Sequence, residues 1–405
     1  MIVIAGAVLV LPDRVVDEGS VVIDGDRIVA IEPRAIDAPD GAVRLEGRGA
    51  MVVPGFIDVH VHGLEGIDVL DGPGAVGQVA QRLPRYGVTA FCPTSVACAP
   101  AMLDTMLEDV AGAGCAAGRT ARVLAAHLES NFINPEYKGA QPAACIRTAA
   151  GAGAAKAARE DGDGFGAADI LDVIARRRDQ VAIVTLAPEI EGGLDLVAQL
   201  TAAGHRVSIG HSGATYEQAF DAIAAGVCHA THLFNRMSPM THRRPGVPGA
   251  VLQSESVAAE LVCDSFHVHP ALMRVALRAK GTRGVLAITD GTAGSGLPVG
   301  SRTRLGGRAI VVTERTAELE DGTIAGSVLT MDGAFRVLVG KIGLGVVDAV
   351  RVCSTTPAEL LRLRDMGRLV PGSFADLAIL DRDTLGVRST MINGQIWNPA
   401  RPALV

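Results

Sequence analysis

Hydrophobic and polar positions along the chain change rhythm twice. From residue 1 to about 50, short β-branched runs alternate with turns: Ile2-Val3-Ile4, Ala7-Val8-Leu9-Val10, Val21-Val22-Ile23 and Ile28-Val29-Ala30-Ile31. Asp24-Gly25-Asp26 separates two of them, and Asp-Gly between apolar runs signals a hairpin. The same texture returns near the end, at 375–380 and 391–397. Between these ends, strand-like apolar runs at 56–62, 123–126, 181–186, 207–210 and 285–288 alternate with Ala/Leu-rich stretches of helical spacing, such as 194–203 and 216–225. Such alternation predicts a parallel barrel or a doubly wound sheet. No dinucleotide-type or Walker-type glycine loop follows any of these strands, which favours a (β/α)8 TIM-like barrel. The β-rich ends predict a small β-sandwich domain built from residues 1–50 and 368–405 around a barrel of residues 51–367. Residues 139–168, rich in Ala and Gly, read as an irregular surface segment near the site.

Bulk composition sets outer limits. A chain of 405 residues, 48% hydrophobic and 20% charged, can bury a large core. The net charge of −7 argues against a nucleic-acid partner, yet leaves room for a local basic pocket that takes one anionic substrate. Seven scattered cysteines with no Cys-x-x-Cys pair read as buried thiols of a reducing compartment. No basic segment precedes the first apolar run, and no charge-free run is long enough to span a bilayer. The expectation is a soluble cytoplasmic protein with no membrane partner.

The chemistry starts at Phe56-Ile57-Asp58-Val59-His60-Val61-His62. Side chains alternate across a strand, so His60 and His62 project from one face. His127-Leu128-Glu129 follows another apolar run, His211 follows a third, His232 sits in Thr231-His232-Leu233-Phe234-Asn235, and Asp290 ends the run 285–289. Singly, each has an ordinary reading. A strand-end histidine can be a hydrogen-bonded core residue, and Asp before Gly-Thr suits a turn. Glu129 is harder to dismiss, because a buried glutamate needs a partner. Five such segments together predict a divalent metal site, with imidazoles and a carboxylate suiting Zn or Fe better than Mg.

Residues 54–63, Phe132-Ile133-Asn134-Pro135, Gly210-His211-Ser212, Ala214-Thr215-Tyr216, 231–235, Ala287-Ile288-Thr289-Asp290, 322–327 and 367–381 carry a resemblance from end to end. The chain resembles the amidohydrolase superfamily and, within it, the N-acetylglucosamine-6-phosphate deacetylase family. The resemblance implies that Glu129, His211 and His232 hold one metal ion, and that His60 and His62 allow a second, bridged by Glu129. It implies Asp290 as the acid–base group and His267 as the group polarising the carbonyl oxygen. It places Asn235 and Arg243 at the phosphate, with Arg243 reaching across the interface of a homodimer, and Ala140 beside the sugar. A deacetylated amino sugar phosphate and acetate would be the products. Related amidohydrolases that open cyclic amides usually bridge their metals with a lysine, and none of Lys138, Lys156, Lys280 and Lys341 ends a barrel-like strand. Two alternatives stay open: hydrolysis of a different N-acyl or cyclic amide, and a catalytically silent barrel that senses a ligand or assembles with partners.

Four positions depart from the family. Ser130-Asn131 stands for Gly-Pro, Gln141 for a histidine, Arg236 for a small residue, and Ser265-Phe266 for a Gly-led pair. All four are expected around the sugar. Arg236 would add a cation there, and Phe266 would narrow the pocket and select another epimer or acyl group.

Overall fold

The computed structural model describes residues 1–113, 119–150 and 164–397. Cys115, Lys156, part of the Ala/Gly-rich stretch and residues 398–405 lie outside the described residues. Both chain ends join one eight-stranded sheet. Strand Ala50–Pro54 pairs in parallel with Ile2–Val10 on one side and antiparallel with Leu377–Asp381 on the other. Val387–Ile392 and Gln395–Trp397 extend the sheet beyond Leu377–Asp381. The anticipated hairpin joins Val15–Asp24 to Arg27–Glu32, with Asp24 opposite Arg27 and Gly25 at φ 57°. That left-handed value is one glycine adopts without steric cost. Ile4, Leu9, Ile23, Ile28, Val52, Leu377 and Met391 form the apolar interior of this unit.

Eight parallel strands make the barrel: Phe56–Val61, Val88–Ser95, Ala126–Glu129, Val181–Leu186, Arg206–Ile209, Val227–Ala230, Ala258–Val262 and Val285–Ile288. The last strand returns to the first, where the Asp290 amide donates to the His60 carbonyl at 2.9 Å and the His62 amide to Gly291 at 2.7 Å. Helices Gly193–Ala202 and Tyr216–Ala225 fall where the helical spacing put them. Thr215 caps the second, accepting from the Gln218 amide. The third strand runs through Glu129 instead of stopping at Ala126, because Glu129 pairs with Thr185 of the fourth. A three-stranded sheet, Arg302–Leu305, Arg308–Val312 and Ala317–Leu319, follows the eighth barrel strand. Of the cysteines, Cys92, Cys98, Cys263 and Cys353 are buried, while Cys145 and Cys228 are only half-buried. Among the described residues no helix is long and apolar enough to cross a membrane.

Part of the barrel interior is polar. Asp58, His60, His127, Thr185, Ser208, His229, Thr231 and Glu260 are all buried. A hydroxyl chain crosses it, with Thr231 Oγ1 2.7 Å from Thr185 and 2.6 Å from Ser208, and His127 Nε2 2.7 Å from Thr185 Oγ1. Burial pushes the His127 imidazole down to about 3 against the pull of Glu260, so it sits neutral and donates Nδ1–H to the Val59 carbonyl at 3.0 Å. Interiors of such barrels are ordinarily layered with Val, Ile and Leu. Here part of that interior is polar and holds the buried carboxylates of Asp58 and Glu260.

Candidate metal centre and active-site cleft

The strands deliver their polar residues to one mouth. His62, His211, His232 and Asp290 each lie just past the C-terminal end of a strand, and Glu129 is the last residue of the third. His211, His232 and Asp290 hold left-handed φ values of 48°, 32° and 50°, as do Phe234, Arg236 and Ser265 nearby. Non-glycine residues in that region cost of order 1–3 kcal/mol each, and such strain gathers at functional sites.

Glu129 is the centre of the cluster. Its Oε1 lies 2.8 Å from both His211 Nε2 and His232 Nε2, and those two nitrogens are 3.1 Å apart. His60 Nε2 and His62 Nε2 face each other at 3.2 Å, with Asp290 Oδ1 3.5 and 3.3 Å away respectively. Glu129 Oε2 is 3.5 Å from His62 Nε2, which brings the two groups together. Three of the four outer nitrogens are anchored, while His232 Nδ1 is buried with no partner among the described residues. His62 Nδ1 donates to Thr94 O at 2.9 Å, His211 Nδ1 to Tyr137 O at 2.8 Å, and His60 Nδ1 contacts Glu260 Oε2 at 2.9 Å. A ring that donates from Nδ1 and is neutral exposes the Nε2 lone pair, and lone pairs facing at 3.1–3.2 Å repel unless a proton or a cation sits between them. These residues therefore fit a divalent ion of the zinc or iron kind: one triad of Glu129, His211 and His232, and a second of His60, His62 and Asp290.

The electrostatics agree. Burial alone would raise Glu129, but His211, His232 and His60 hold it well below the usual carboxylate range. Asp290 is also lowered, by His62, His60 and His232 against the effect of burial. In the reverse sense, burial pulls His62 and His232 down, yet the carboxylates beside them push each from 6.5 up to about 9. A raised folded-state pKa stabilises the ion-free protein fully below pH 6.5, and that stabilisation is lost as pH rises through 9. An entering ion competes with those protons. Zinc uptake by ion-free protein should release protons and tighten steadily from pH 6.5 to 9, measurable by calorimetry in buffers of different ionisation heat. Uptake that ignores pH would contradict the assignment of His62 and His232 as ligands.

A cleft of about 440 Å3 opens over the cluster. His62, Glu129, Ala140, Gln141, His211, His232, Asn235, Arg236, His267 and Asp290 all line it. His267 donates Nδ1–H to Asp264 at 2.6 Å, while its Nε2 is buried with no partner among the described residues. Gln141 is buried, accepts from the Ala97 amide at 2.7 Å and donates to Glu129 Oε2, so the residue standing for the family's histidine holds a metal-facing carboxylate.

Two expectations change. Phe266 does not narrow the cleft; it lines a neighbouring groove with the Arg315 guanidinium 4.3 Å from its ring centre. Ser130 and Asn131 lie behind the wall, Ser130 donating to Thr185 O at 2.5 Å and Asn131 to the Cys98 and Cys145 carbonyls. Arg243, expected to reach across to a partner, is exposed on the loop after Asn235 and lies outside its own chain's cleft.

Sequence reasoning missed Glu260 and His229. Glu260 is fully buried, with Oε1 2.8 Å from His229 Nε2 and Oε2 2.9 Å from His60 Nδ1 and 3.1 Å from the His232 amide. The argument that singled out Glu129, an acid within an apolar strand, applies equally to Ala258–Val262 and would have found it.

Comparison with known proteins adds the following. The amidohydrolase family matches residues 51–397. N-acetylglucosamine-6-phosphate deacetylase of Lysinibacillus sphaericus is 33% identical over 361 residues, 88% of each chain. N-acetylgalactosamine-6-phosphate deacetylase of Escherichia coli O157:H7 is 32% identical, over 91% of this chain and 92% of its own. The structure of a mutant N-acetyl-D-glucosamine-6-phosphate deacetylase from Mycobacterium smegmatis, in complex with N-acetyl-D-glucosamine-6-phosphate, is similar with a TM-score of 0.86, 30% identity and 98% of both chains covered.

Proposed function

The chain belongs to the amidohydrolase family, in its N-acetylglucosamine-6-phosphate deacetylase branch, and on that premise we propose how its cleft hydrolyses an N-acetyl amino sugar phosphate. The protein is a metal-dependent amide hydrolase that converts N-acetylglucosamine 6-phosphate to glucosamine 6-phosphate and acetate. One observation carries the assignment of roles: a metal-fitting triad, a carboxylate and an imidazole with a vacant ring nitrogen meet in a single cleft.

Glu129, His211 and His232 would hold one ion, and His60 and His62 a second. An ion so held lowers the pKa of a water and polarises a carbonyl. Asp290 takes the proton of the attacking water and returns it to the departing amine. His267 donates from Nε2 to the carbonyl oxygen as it gains charge. The Nδ1 contact with Asp264 fixes the orientation of the ring. Gln141 keeps Glu129 oriented, and Ala140, Asn235 and Arg236 line the region where the sugar phosphate would lie. The reading includes a cytoplasmic homodimer, for which the exposed loop bearing Met240, His242, Arg243 and Arg244 offers a surface.

The test is acetate release by metal-analysed protein from N-acetylglucosamine 6-phosphate, with the galactosamine and mannosamine epimers alongside. Fastest turnover of the first is expected. Preference for the galactosamine epimer would reassign the sugar and keep the chemistry. No turnover of any, with metal bound, would move the search to other N-acyl substrates.

A further inference from the structure

Resting on the metal-dependent reading just given, we propose that Gln141 makes the two ion positions unequal. It draws on the Glu129 oxygen that faces His62, so the position of Glu129, His211 and His232 fills first and the second ion binds more weakly. This gives a role in metal loading to the place where the family has a histidine.

The two oxygens of Glu129 face different ways. Oε1 lies 2.8 Å from His211 Nε2 and His232 Nε2, and 3.9 Å from His60 Nε2. Oε2 lies 3.5 Å from His62 Nε2. On that side His60 Nε2 and His62 Nε2 are 3.2 Å apart, with Asp290 Oδ1 at 3.5 and 3.3 Å. Zinc bonds of about 2.0–2.2 Å set neighbouring tetrahedral ligands about 3.3–3.6 Å apart. Oε2 is therefore the Glu129 atom spaced to share an ion with His62. It is also the atom that Gln141 contacts.

The orientation of Gln141 is not free. The buried Ala97 amide donates to Gln141 Oε1 at 2.7 Å. A backbone N–H can only donate, so the side-chain oxygen must face Ala97 and the NH2 must face Glu129. The segment is held as well: the Gln141 amide donates to Lys138 O at 3.0 Å, and Arg308 Nη1 donates to Ala140 O at 2.9 Å. An oxygen that accepts from an amide keeps a lone pair for an ion but gives it less charge. Moving the amide aside would leave a buried NH2 unpaired. Either cost falls on an ion that uses Oε2. Gln141 makes no hydrogen bond to Oε1, so the first ion escapes both costs.

The experiment titrates zinc into the metal-free full chain against a chromophoric chelator, for the parent, Gln141→Met and Gln141→Glu. Methionine has similar length and no donor. Glutamate keeps an oxygen for the Ala97 amide and sets a like charge beside Glu129, which a second cation relieves. In the parent, one ion should bind about 100-fold more tightly than the other. Gln141→Met should tighten the weaker ion by about 10-fold and change the tighter one by less than about 3-fold. Gln141→Glu should tighten the weaker ion at least as much. Two ions of equal affinity in the parent would overturn the proposal, as would one ion per chain in all three proteins. Joint weakening of both ions in the two variants would also overturn it, leaving Gln141 as a plain brace for Glu129. A parent that binds no zinc at all would sink the metal-dependent reading itself, and this proposal with it.

Discussion

Asp290→Asn should lower kcat by about 10²–10⁴-fold while at least one metal ion per chain remains bound. The substitution keeps shape and place. Backbone contacts fix the residue, with its amide donating to His60 O at 2.9 Å and its carbonyl accepting from the Ser327 amide at 2.7 Å. The triad of Glu129, His211 and His232 is untouched. What asparagine cannot do is take a proton from water and return it to an amine. Acetate release measured beside metal content separates the two effects. Turnover close to parent would remove Asp290 from proton transfer, whereas complete loss of metal would make it a ligand before anything else.

The second large effect is expected from a residue that never reaches the cleft. Glu260→Gln should weaken metal binding by about 10–100-fold, the usual consequence of losing a group that orients metal-bound histidines. Burial alone would raise this carboxylate, but His60 and His229 hold it well below the usual range, so it stays charged inside the barrel. One side chain thus fixes the first-strand His60 and the backbone of His232, which belong to different metal-fitting triads. A glutamine matches the shape but must turn its NH2 towards either the His60 or the His229 ring, and it supplies no charge. Removing the carboxylate outright, as in Glu260→Ala, should also cost about 3–5 kcal/mol of stability, the scale for breaking a buried charged pair. Competition with a chromophoric chelator measures the first effect and denaturant unfolding the second. Unchanged metal affinity in Glu260→Gln would show that the histidines are held by their other contacts alone.

The barrel was legible in part, and what was missed has a common cause. Five of its strands announce themselves as apolar runs. Val88–Ser95 carries a proline and three hydroxyl residues, Val227–Ala230 a histidine, and Ala258–Val262 a glutamate. Those polar insertions break the pattern because part of the barrel interior they face is polar. The same residues, read as chemistry and not as noise, would have marked the strands. The cluster of His60, His62, Glu129, His211, His232 and Asp290 was legible because each lies within two residues of a strand's C-terminal end. Phe266 misled because one-dimensional proximity to His267 says nothing of direction. The two rings meet edge to face at 85°, and Phe266 lies in the groove beside Arg315, outside the cleft that His267 lines.

The sheet shared by the two chain ends has a consequence for how the protein is made. Strand Ala50–Pro54 emerges from the ribosome early, but its antiparallel neighbour Leu377–Asp381 emerges more than three hundred residues later. At ordinary rates of synthesis that interval is on the order of tens of seconds. Throughout it the nascent chain carries an unpaired, apolar strand edge, the kind of edge that invites pairing with other chains. Chaperone demand should therefore concentrate in the interval before the last strands are translated. A chain whose translation stalls near residue 370 should aggregate even though its barrel residues have all been made.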